Sequence, residues 1–179
     1  MHFDASTSFI PSNWKPPEND VLKFNVDASF DAISNTLGTG VVLRSHTGDC
    51  EGVKGFYSNG VLSPEAGECT AILEALQWAK EKKLTRIQIE ADAKLVVQSI
   101  TDNVLLIQLE NRNILKQIKN LSSSFIHCSF SFVSRNDNRV ADLVAKTVRE
   151  SATSLFLLSN FSGEICNLLA RDINNISST

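Results

Sequence analysis

The sequence contains no run of about 18 apolar residues, which is the length that a membrane-spanning helix requires. The first 12 residues also lack the charged and then apolar order of a secretory signal. These two absences predict an intracellular protein with no membrane contact. They do not distinguish cytoplasm, nucleus and organelle.

Cysteines are few and widely scattered. They are Cys50, Cys69, Cys128 and Cys166, and no Cys-x-x-Cys pair suggests a zinc site. Their number does not require a disulfide framework, so we expect reduced thiols that are mostly buried.

Neither sign of charge dominates, because 17 Lys and Arg face 20 Asp and Glu, for a net charge of -3. This balance argues against a protein that coats nucleic acid in general, but it is compatible with a local basic track beside an acidic site. With 42% apolar residues in 179 positions, the chain can bury one core. One domain and a monomer are the default expectations.

The stretch Lys23–Phe30 alternates strictly between apolar and polar residues. This period predicts a half-buried β-strand whose polar face carries Asp27. Taken alone, a carboxylate at such a place is more often a solvated edge residue than a functional group. Residues 38–44 and 51–57 follow as two further strands, and the turn Thr47-Gly48 between them favours an antiparallel meander.

A long helix is predicted from Ser63, a good N-cap, to about residue 83, since Pro64 suits the first helical position. Its apolar stripe consists of Ala66, Cys69, Ile72, Leu73, Leu76 and Ala79. Trp78 points to another face, and Glu74 is expected to be solvated on the far side. Helical phasing allows either Glu65 or Glu68 near the buried side.

Strands and helices alternate in the second half, which predicts parallel pairing. A strand over residues 86–92 ends in Asp92, helices follow over 94–100 and 109–120, and the last strand covers 125–134. The polar turn 135–138 ends in Asn138, a predicted N-cap. The helix over 139–150 is expected to bury Ala141, Val144, Ala145 and Val148, with Asp142 at the flank of that stripe.

Three segments are expected along the chain. Residues 1–13 form a flexible leader, residues 14–150 form the domain, and residues 151–179 form an extension with a short helix packed on the domain. An exposed apolar tail that binds a partner is the alternative for the extension.

Four carboxylates stand out together: Asp27, Glu68, Asp92 and Asp142. Reactive sites of α/β sheets form beyond the carboxyl ends of strands. Clustered carboxylates repel one another and are stable chiefly when divalent cations neutralise them, and oxygen ligands select magnesium or manganese. Each acid also has an ordinary structural explanation, so the pattern alone leaves the joint site open.

Five motifs in order resemble a type 1 ribonuclease H domain and, more narrowly, the plant reverse-transcriptase-like ribonuclease H family, over about residues 14–150. They are Asn25-Val26-Asp27-Ala28-Ser29-Phe30, Gly40-Val41-Val42-Leu43-Arg44, Glu68-x-x-Ala71-x-x-Glu74-Ala75-Leu76, Glu90-Ala91-Asp92, and Val133-x-Arg135-x-x-Asn138-x-x-Ala141-Asp142-x-x-Ala145-Lys146. The resemblance implies an α/β fold with a five-stranded mixed sheet, the first three strands antiparallel, flanked by helices. It also selects Glu68 over Glu65.

The resemblance further implies a magnesium-dependent endoribonuclease that hydrolyses the RNA strand of RNA–DNA hybrids with two ions, for which manganese is a possible substitute. Asp27 would bridge both ions, Glu68 and Asp92 would hold one, and Asp142 the other. One ion lowers the pKa of the attacking water and the second stabilises the leaving 3′ oxygen.

Three residues are candidates for substrate binding. Ser29 is placed to meet a 2′-hydroxyl, the group that distinguishes RNA from DNA, and the alternative for it is a solvated strand hydroxyl. Arg135 contacts phosphate or caps the helix, and Asn138 lies in the same loop.

Two departures from the family pattern keep a second hypothesis open. The loop before Asp142 reads Ser134-Arg135-Asn136-Asp137 without the histidine of bacterial members, and residues 101–113 lack their Lys- and Trp-rich protrusion. We therefore expect slower turnover and weak, salt-sensitive substrate binding. The alternative function is a catalytically weak or silent module of retroelement origin that binds nucleic acid or a protein.

Overall fold

The computed structural model describes residues 11–174 and residue 176. Positions 1–10 of the expected leader, and positions 175 and 177–179 of the extension, lie outside the described residues. Residues 11–13 contact the domain, because Ser12 is 1% exposed and the backbone N–H of Asn13 donates to Asp137 Oδ1 at 2.7 Å. Across the described ranges, no helix is long and apolar enough to span a membrane.

The described residues form seven strands, five α-helices and two 3₁₀ helices, η1 and η2. In chain order they are β1 Leu22–Asp31, β2 Thr36–Arg44, β3 Cys50–Gly55, β4 Tyr57–Asn59, α1 Pro64–Glu81, β5 Arg86–Ala91, α2 Lys94–Thr101, η1 Leu109–Asn111, α3 Arg112–Ser122, β6 His127–Phe132, η2 Arg135–Asn138, α4 Arg139–Ser151, β7 Leu155–Leu157 and α5 Gly163–Asn174.

All seven strands belong to one mixed sheet in the order β6-β5-β1-β2-β3-β7, with β4 paired to β2. The pairs β1–β2 and β2–β3 are antiparallel, whereas β1–β5 and β5–β6 are parallel. The predicted α/β architecture with three leading antiparallel strands is therefore confirmed. The strand count differs, since β4 and β7 are short strands beyond the predicted five.

Strand β1 lies in the middle of the sheet and is buried on both faces. The polar residues Lys23, Asn25 and Asp27 are only 2%, 1% and 2% exposed. Lys23 pairs with Glu90 at 2.5 Å, and the Asn25 amide donates to the same carboxylate while accepting from Trp14 Nε1. The prediction of a half-buried strand was wrong, because a second layer covers the polar face, where Lys23 is paired with Glu90.

Helix α1 covers the apolar face of β1, β2 and β5. Its predicted start is confirmed, since the Ser63 side chain accepts from the Ala66 N–H at 3.1 Å. Two expectations for this helix were wrong. Trp78 is buried against the edge of Phe24, and Glu74 accepts a hydrogen bond from the Thr39 hydroxyl, with its pKa raised by burial. The helix therefore contacts the sheet over a broader surface than the apolar stripe.

Helix α4 covers the opposite face, and α5 packs beside it. The four residues predicted to be buried in α4 are buried. Its backbone rests on β2 at two glycines: a Cβ on Gly38 or Gly40 would lie 2.2 Å from the carbonyl oxygen of Ala145 or Ala141. Glycine at these two positions sets the distance between α4 and the sheet.

The four cysteines are free thiols. Cys69 is buried, Cys50 and Cys128 are half-buried and Cys166 is exposed. Burial raises the pKa of the Cys69 and Cys128 thiols to about 12, so both remain protonated thiols at neutral pH.

Candidate active site

Three of the four predicted acids meet at one point. Oxygen atoms of Asp27, Glu68 and Asp92 all lie within 4.8 Å of one another. The parallel pairing of β1 with β5 explains part of this, because Val26 is opposite Ala91 and an acid is the next residue in each segment: Asp27 within β1 and Asp92 just after β5. Glu68 arrives from the second turn of α1, which crosses the same strands.

The fourth acid, Asp142, lies in the first turn of α4, and its carboxylate is close enough to Asp27 to contribute to the raised pKa of that residue. Its Oδ2 also accepts from Lys146 Nζ at 2.8 Å, one helical turn later. The pKa of Asp27 is therefore affected both by Asp92 in the cluster and by Asp142 of α4.

Burial and the neighbouring carboxylates disfavour the charged forms of Asp27 and Glu68. Burial, and then the Asp92 carboxylate, raise the pKa of Asp27 to about 8. The hydrogen bond that the Ala28 N–H donates to Asp27 acts in the opposite direction and lowers this pKa. Burial and then Asp27 raise the pKa of Glu68 well above its usual range. The Glu68 Oε2 atom is buried and has no hydrogen-bond partner among the described residues.

These observations fit a divalent cation. The three clustered carboxylates supply only oxygen ligands, which Mg²⁺ and Mn²⁺ prefer. The buried Glu68 Oε2 atom, which has no hydrogen-bond partner among the described residues, is available to bind such an ion. A cation would favour the charged forms of Asp27 and Glu68 and so oppose the effects of burial and of carboxylate repulsion, which raise their pKa values.

Glu65, the other candidate from helical phasing, lies outside this cluster. Its Oε1 accepts from the Asn111 amide at 2.6 Å and from the Gln108 N–H at 2.8 Å. Glu65 therefore holds η1 against α1. A cavity of about 270 Å³ lies between the two glutamates and Leu95.

The predicted substrate-binding residues have three different environments. Ser29 lies two residues beyond Asp27 on the same face of β1, and its Oγ accepts from Arg149 Nε at 2.8 Å. Arg135 is 77% exposed, with Nε 3.6 Å from Asp92 Oδ2. Asn138 is only 2% exposed, and its Nδ2 donates to the Val26 carbonyl at 2.8 Å.

Asn138 occupies the predicted N-cap position of α4, although its side chain makes no capping hydrogen bond to that helix. Its side chain is buried, and a contact between Asn138 and substrate stays a prediction. The Asn138 side chain fixes the start of α4 to the strand that carries Asp27.

Arg149 was missed by the sequence reasoning. The signal was present, because Asp142, Lys146 and Arg149 follow one another at spacings of four and three, which places them on one face of a helix.

Residues 101–113 also differ from a basic substrate grip. Their side chains include exposed apolar residues, namely Val104, Leu105, Leu106 and Leu109. The segment contains no lysine, and its one arginine is Arg112.

The fold is shared with solved ribonucleases H. One is ribonuclease H1 from the halophilic archaeon Halobacterium salinarum, with a TM-score of 0.68, 21% identity, and coverage of 73% of this chain and 98% of that one. Another is the N-terminal ribonuclease H domain of a Mycobacterium tuberculosis protein, with a TM-score of 0.67, 19% identity, and coverage of 74% and 95%. LC11-RNase H1, isolated from compost by a metagenomic approach, was solved in complex with RNA/DNA hybrid and matches with a TM-score of 0.65, 17% identity, and coverage of 74% and 97%.

These likenesses define the class of the fold as ribonuclease H. The family model described as reverse transcriptase-like matches residues 25–148, and the chain belongs to that family. No curated protein matches the sequence significantly. The narrower expectation of a plant family stays a prediction.

Proposed function

We propose that this protein is a divalent-metal-dependent endoribonuclease that hydrolyses the RNA strand of RNA–DNA hybrids, with Mg²⁺ as the metal and Mn²⁺ as a possible substitute. The observation that carries the proposal is the cluster of Asp27, Glu68 and Asp92, whose carboxylate oxygens lie within 4.8 Å of one another, with Asp142 beside it. The ribonuclease H fold and the reverse transcriptase-like family support the same reaction class.

Each acid has a proposed role. Asp27, whose pKa is affected by both Asp92 and Asp142, would hold both ions, Glu68 and Asp92 would hold one, and Asp142 the other. When bound, the ions supply a lowered pKa for the attacking water and stabilisation of the leaving 3′ oxygen. The Ala28 N–H donates to Asp27 Oδ1 at 2.9 Å and orients that carboxylate.

Substrate contacts are proposed for residues on the two sides of the cluster. Ser29, held by Arg149, lies near enough to Asp27 to meet a 2′-hydroxyl of the RNA strand, and such contacts distinguish RNA from DNA. Arg135, which is largely exposed beside Asp92, would contact a phosphate.

A second candidate function is a catalytically weak or silent module that binds nucleic acid or a protein. The exposed apolar residues between Val104 and Leu109 favour it, because an apolar surface near the site suits a protein partner better than a phosphate backbone. The intact acid cluster favours the nuclease.

A cleavage assay separates these functions. A hybrid labelled on its RNA strand is incubated with Mg²⁺ and wild-type protein, Asp27→Asn or the exposed control Glu51→Gln. Wild type and the control should cut equally, and Asp27→Asn should lose at least about a hundredfold in rate, because the two-ion site is broken. Absence of cutting above the Asp27→Asn background would refute the nuclease, and equal cutting of single-stranded RNA would refute hybrid specificity.

A further inference from the structure

The loop that leads into α4 is held by residues outside the segment that the family model matches. This loop is η2, residues Arg135–Asn138, and the matched segment covers residues 25–148. Arg171 of α5 donates from its guanidinium to the Asn136 carbonyl oxygen at 2.7 Å. The side chain of Arg171 is 5% exposed, so this contact is shielded from water.

Helix α5 is itself fixed by a buried ion pair. Asp172 is fully buried and pairs with Arg44 of β2 at 2.8 Å, and the Arg44 guanidinium lies over the Trp14 ring at 4.4 Å. Asp172 also accepts from Arg171 at 3.2 Å. Breaking a buried pair of this kind is strongly unfavourable, so the position of α5 relative to the sheet is well determined.

The amino-terminal segment holds the same loop from another side. The Asn13 N–H donates to Asp137 Oδ1 at 2.7 Å, and the Asn136 amide donates to the Pro11 carbonyl at 2.9 Å. Ser134, the N-cap residue of η2, donates from its Oγ to the other Asp137 oxygen at 2.8 Å. The two flanking segments therefore meet on one loop.

This loop is mechanically connected to the acids. Asn138, its last residue, donates to the Val26 carbonyl next to Asp27. Asp142 follows one turn later in α4, and Arg135, the first residue of η2, lies 3.6 Å from Asp92. A displacement of η2 would move Asp142 and Arg135 together relative to Asp27 and Asp92.

We infer that Arg171 is a positioning residue. Together, α5 and residues 11–14 form a clamp, that is, a set of contacts that fixes the position of η2 and Asp142 relative to the acid cluster. The inference rests on the proposed function for its effect on cleavage. The clamp itself is a property of the fold and is measured independently of activity.

The test uses the full chain with Arg171→Gln, Arg171→Lys and the matched control Arg112→Gln, an exposed arginine on α3 across the sheet from η2. Amide hydrogen exchange of residues 134–139 is followed by mass spectrometry, together with thermal unfolding. Arg171→Gln should exchange about tenfold faster in this peptide, because a charged hydrogen bond is lost, whereas Arg112→Gln should match wild type. Arg171→Lys, which retains a charged donor, should recover part of the protection.

In hybrid cleavage, Arg171→Gln should lower kcat about tenfold with KM changed less than about twofold, because misplaced acids weaken the reaction more than binding. Equal exchange in Arg171→Gln and wild type would overturn the clamp. Faster exchange with unchanged kcat in an active enzyme would overturn the positioning role. A wild type without cleavage would refute the proposed function while the exchange data still decide the clamp.

If Arg171→Gln does not fold, Asn136→Ala provides the second variant. It removes only the contact to Pro11 and leaves the carbonyl that Arg171 uses. Faster exchange in residues 134–139 than in wild type supports the clamp, and unchanged exchange contradicts it.

Discussion

Gly40 and Ala141 are in such close contact that a Cβ on Gly40 would lie 2.2 Å from the Ala141 carbonyl oxygen. Gly40 is also the partner of Asp27 in the ladder between β1 and β2. Because Asp142 directly follows Ala141, this contact sets how close the acid of α4 comes to the acid of β1.

Gly40→Ala is therefore expected to push α4 away from the sheet. Overpacking against backbone atoms should lower the free energy of unfolding by roughly 3 kcal/mol and Tm by about 10 °C. The rate of hybrid cleavage should fall by more than the loss of folded protein explains, since Asp142 moves with the helix. Thermal unfolding and the hybrid assay below Tm measure both effects.

Gly163→Ala is the matched control for that variant, because nothing lies within 4 Å of a Cβ at Gly163. It should change Tm by no more than about 2 °C. If Gly40→Ala were equally neutral, the close contact would not determine the position of α4.

The stability of the metal-free protein should depend on pH through Asp27. Its pKa is raised in the folded state from 3.8 to about 8, so between these values the folded chain binds a proton that the unfolded chain lacks. The stability that this bound proton contributes is fully present below about pH 4 and is lost as the pH rises through 8. Thermal unfolding in EDTA should show Tm falling from pH 5 to pH 9.

Asp27→Asn removes the titrating group. In EDTA, it should raise Tm over wild type by several degrees at pH 9 and by less at pH 5, while the exposed control Glu51→Gln should follow wild type at both. A variant advantage that is larger at pH 5 would contradict the sign derived from the raised pKa.

Divalent cations should stabilise the folded chain, because they bind the clustered acids only when these are brought together by folding. At pH 8, millimolar Mg²⁺ is expected to raise Tm by several degrees over EDTA, and Glu51→Gln should respond in the same way. Asp27→Asn should lose most of the rise. A rise of equal size in wild type and Asp27→Asn would place the ion elsewhere.

Arg135→Ala should weaken hybrid binding without destabilising the fold, because the Arg135 side chain is 77% exposed. If Arg135 contacts one phosphate, KM should increase a few-fold and the slope of log KM against log salt should decrease by about one. The matched control is Lys82→Ala, which removes an exposed cation at the carboxyl end of α1. An unchanged salt slope would exclude a phosphate contact by Arg135. The ion pair with Asp92 would then be the only role supported for this side chain.

The fold class and the order of the elements could be predicted from the sequence, since strand alternation, the Ser63 cap and helical spacing are interactions between near neighbours. The four acids could also be named, although their pattern alone did not join them and the family resemblance did. Glu68 and Glu65, for example, are nearly equivalent in helical phasing. The packing of α1 places Glu68 in the cluster and Glu65 against η1.

The sequence by itself determined features that depend on neighbouring residues. These are the apolar side of β1 and the buried stripe of α4, which follow from periodic spacing, and the start of α1, which follows from the Ser63 cap. Only the tertiary structure decided what covers the other side of β1, why Asn138 is buried and how Arg171 reaches the active-site loop. The physical reason is separation along the chain. Arg44 pairs with Asp172 across 128 positions and Asn138 with Val26 across 112, and no local pattern encodes which distant group satisfies a buried charge or amide.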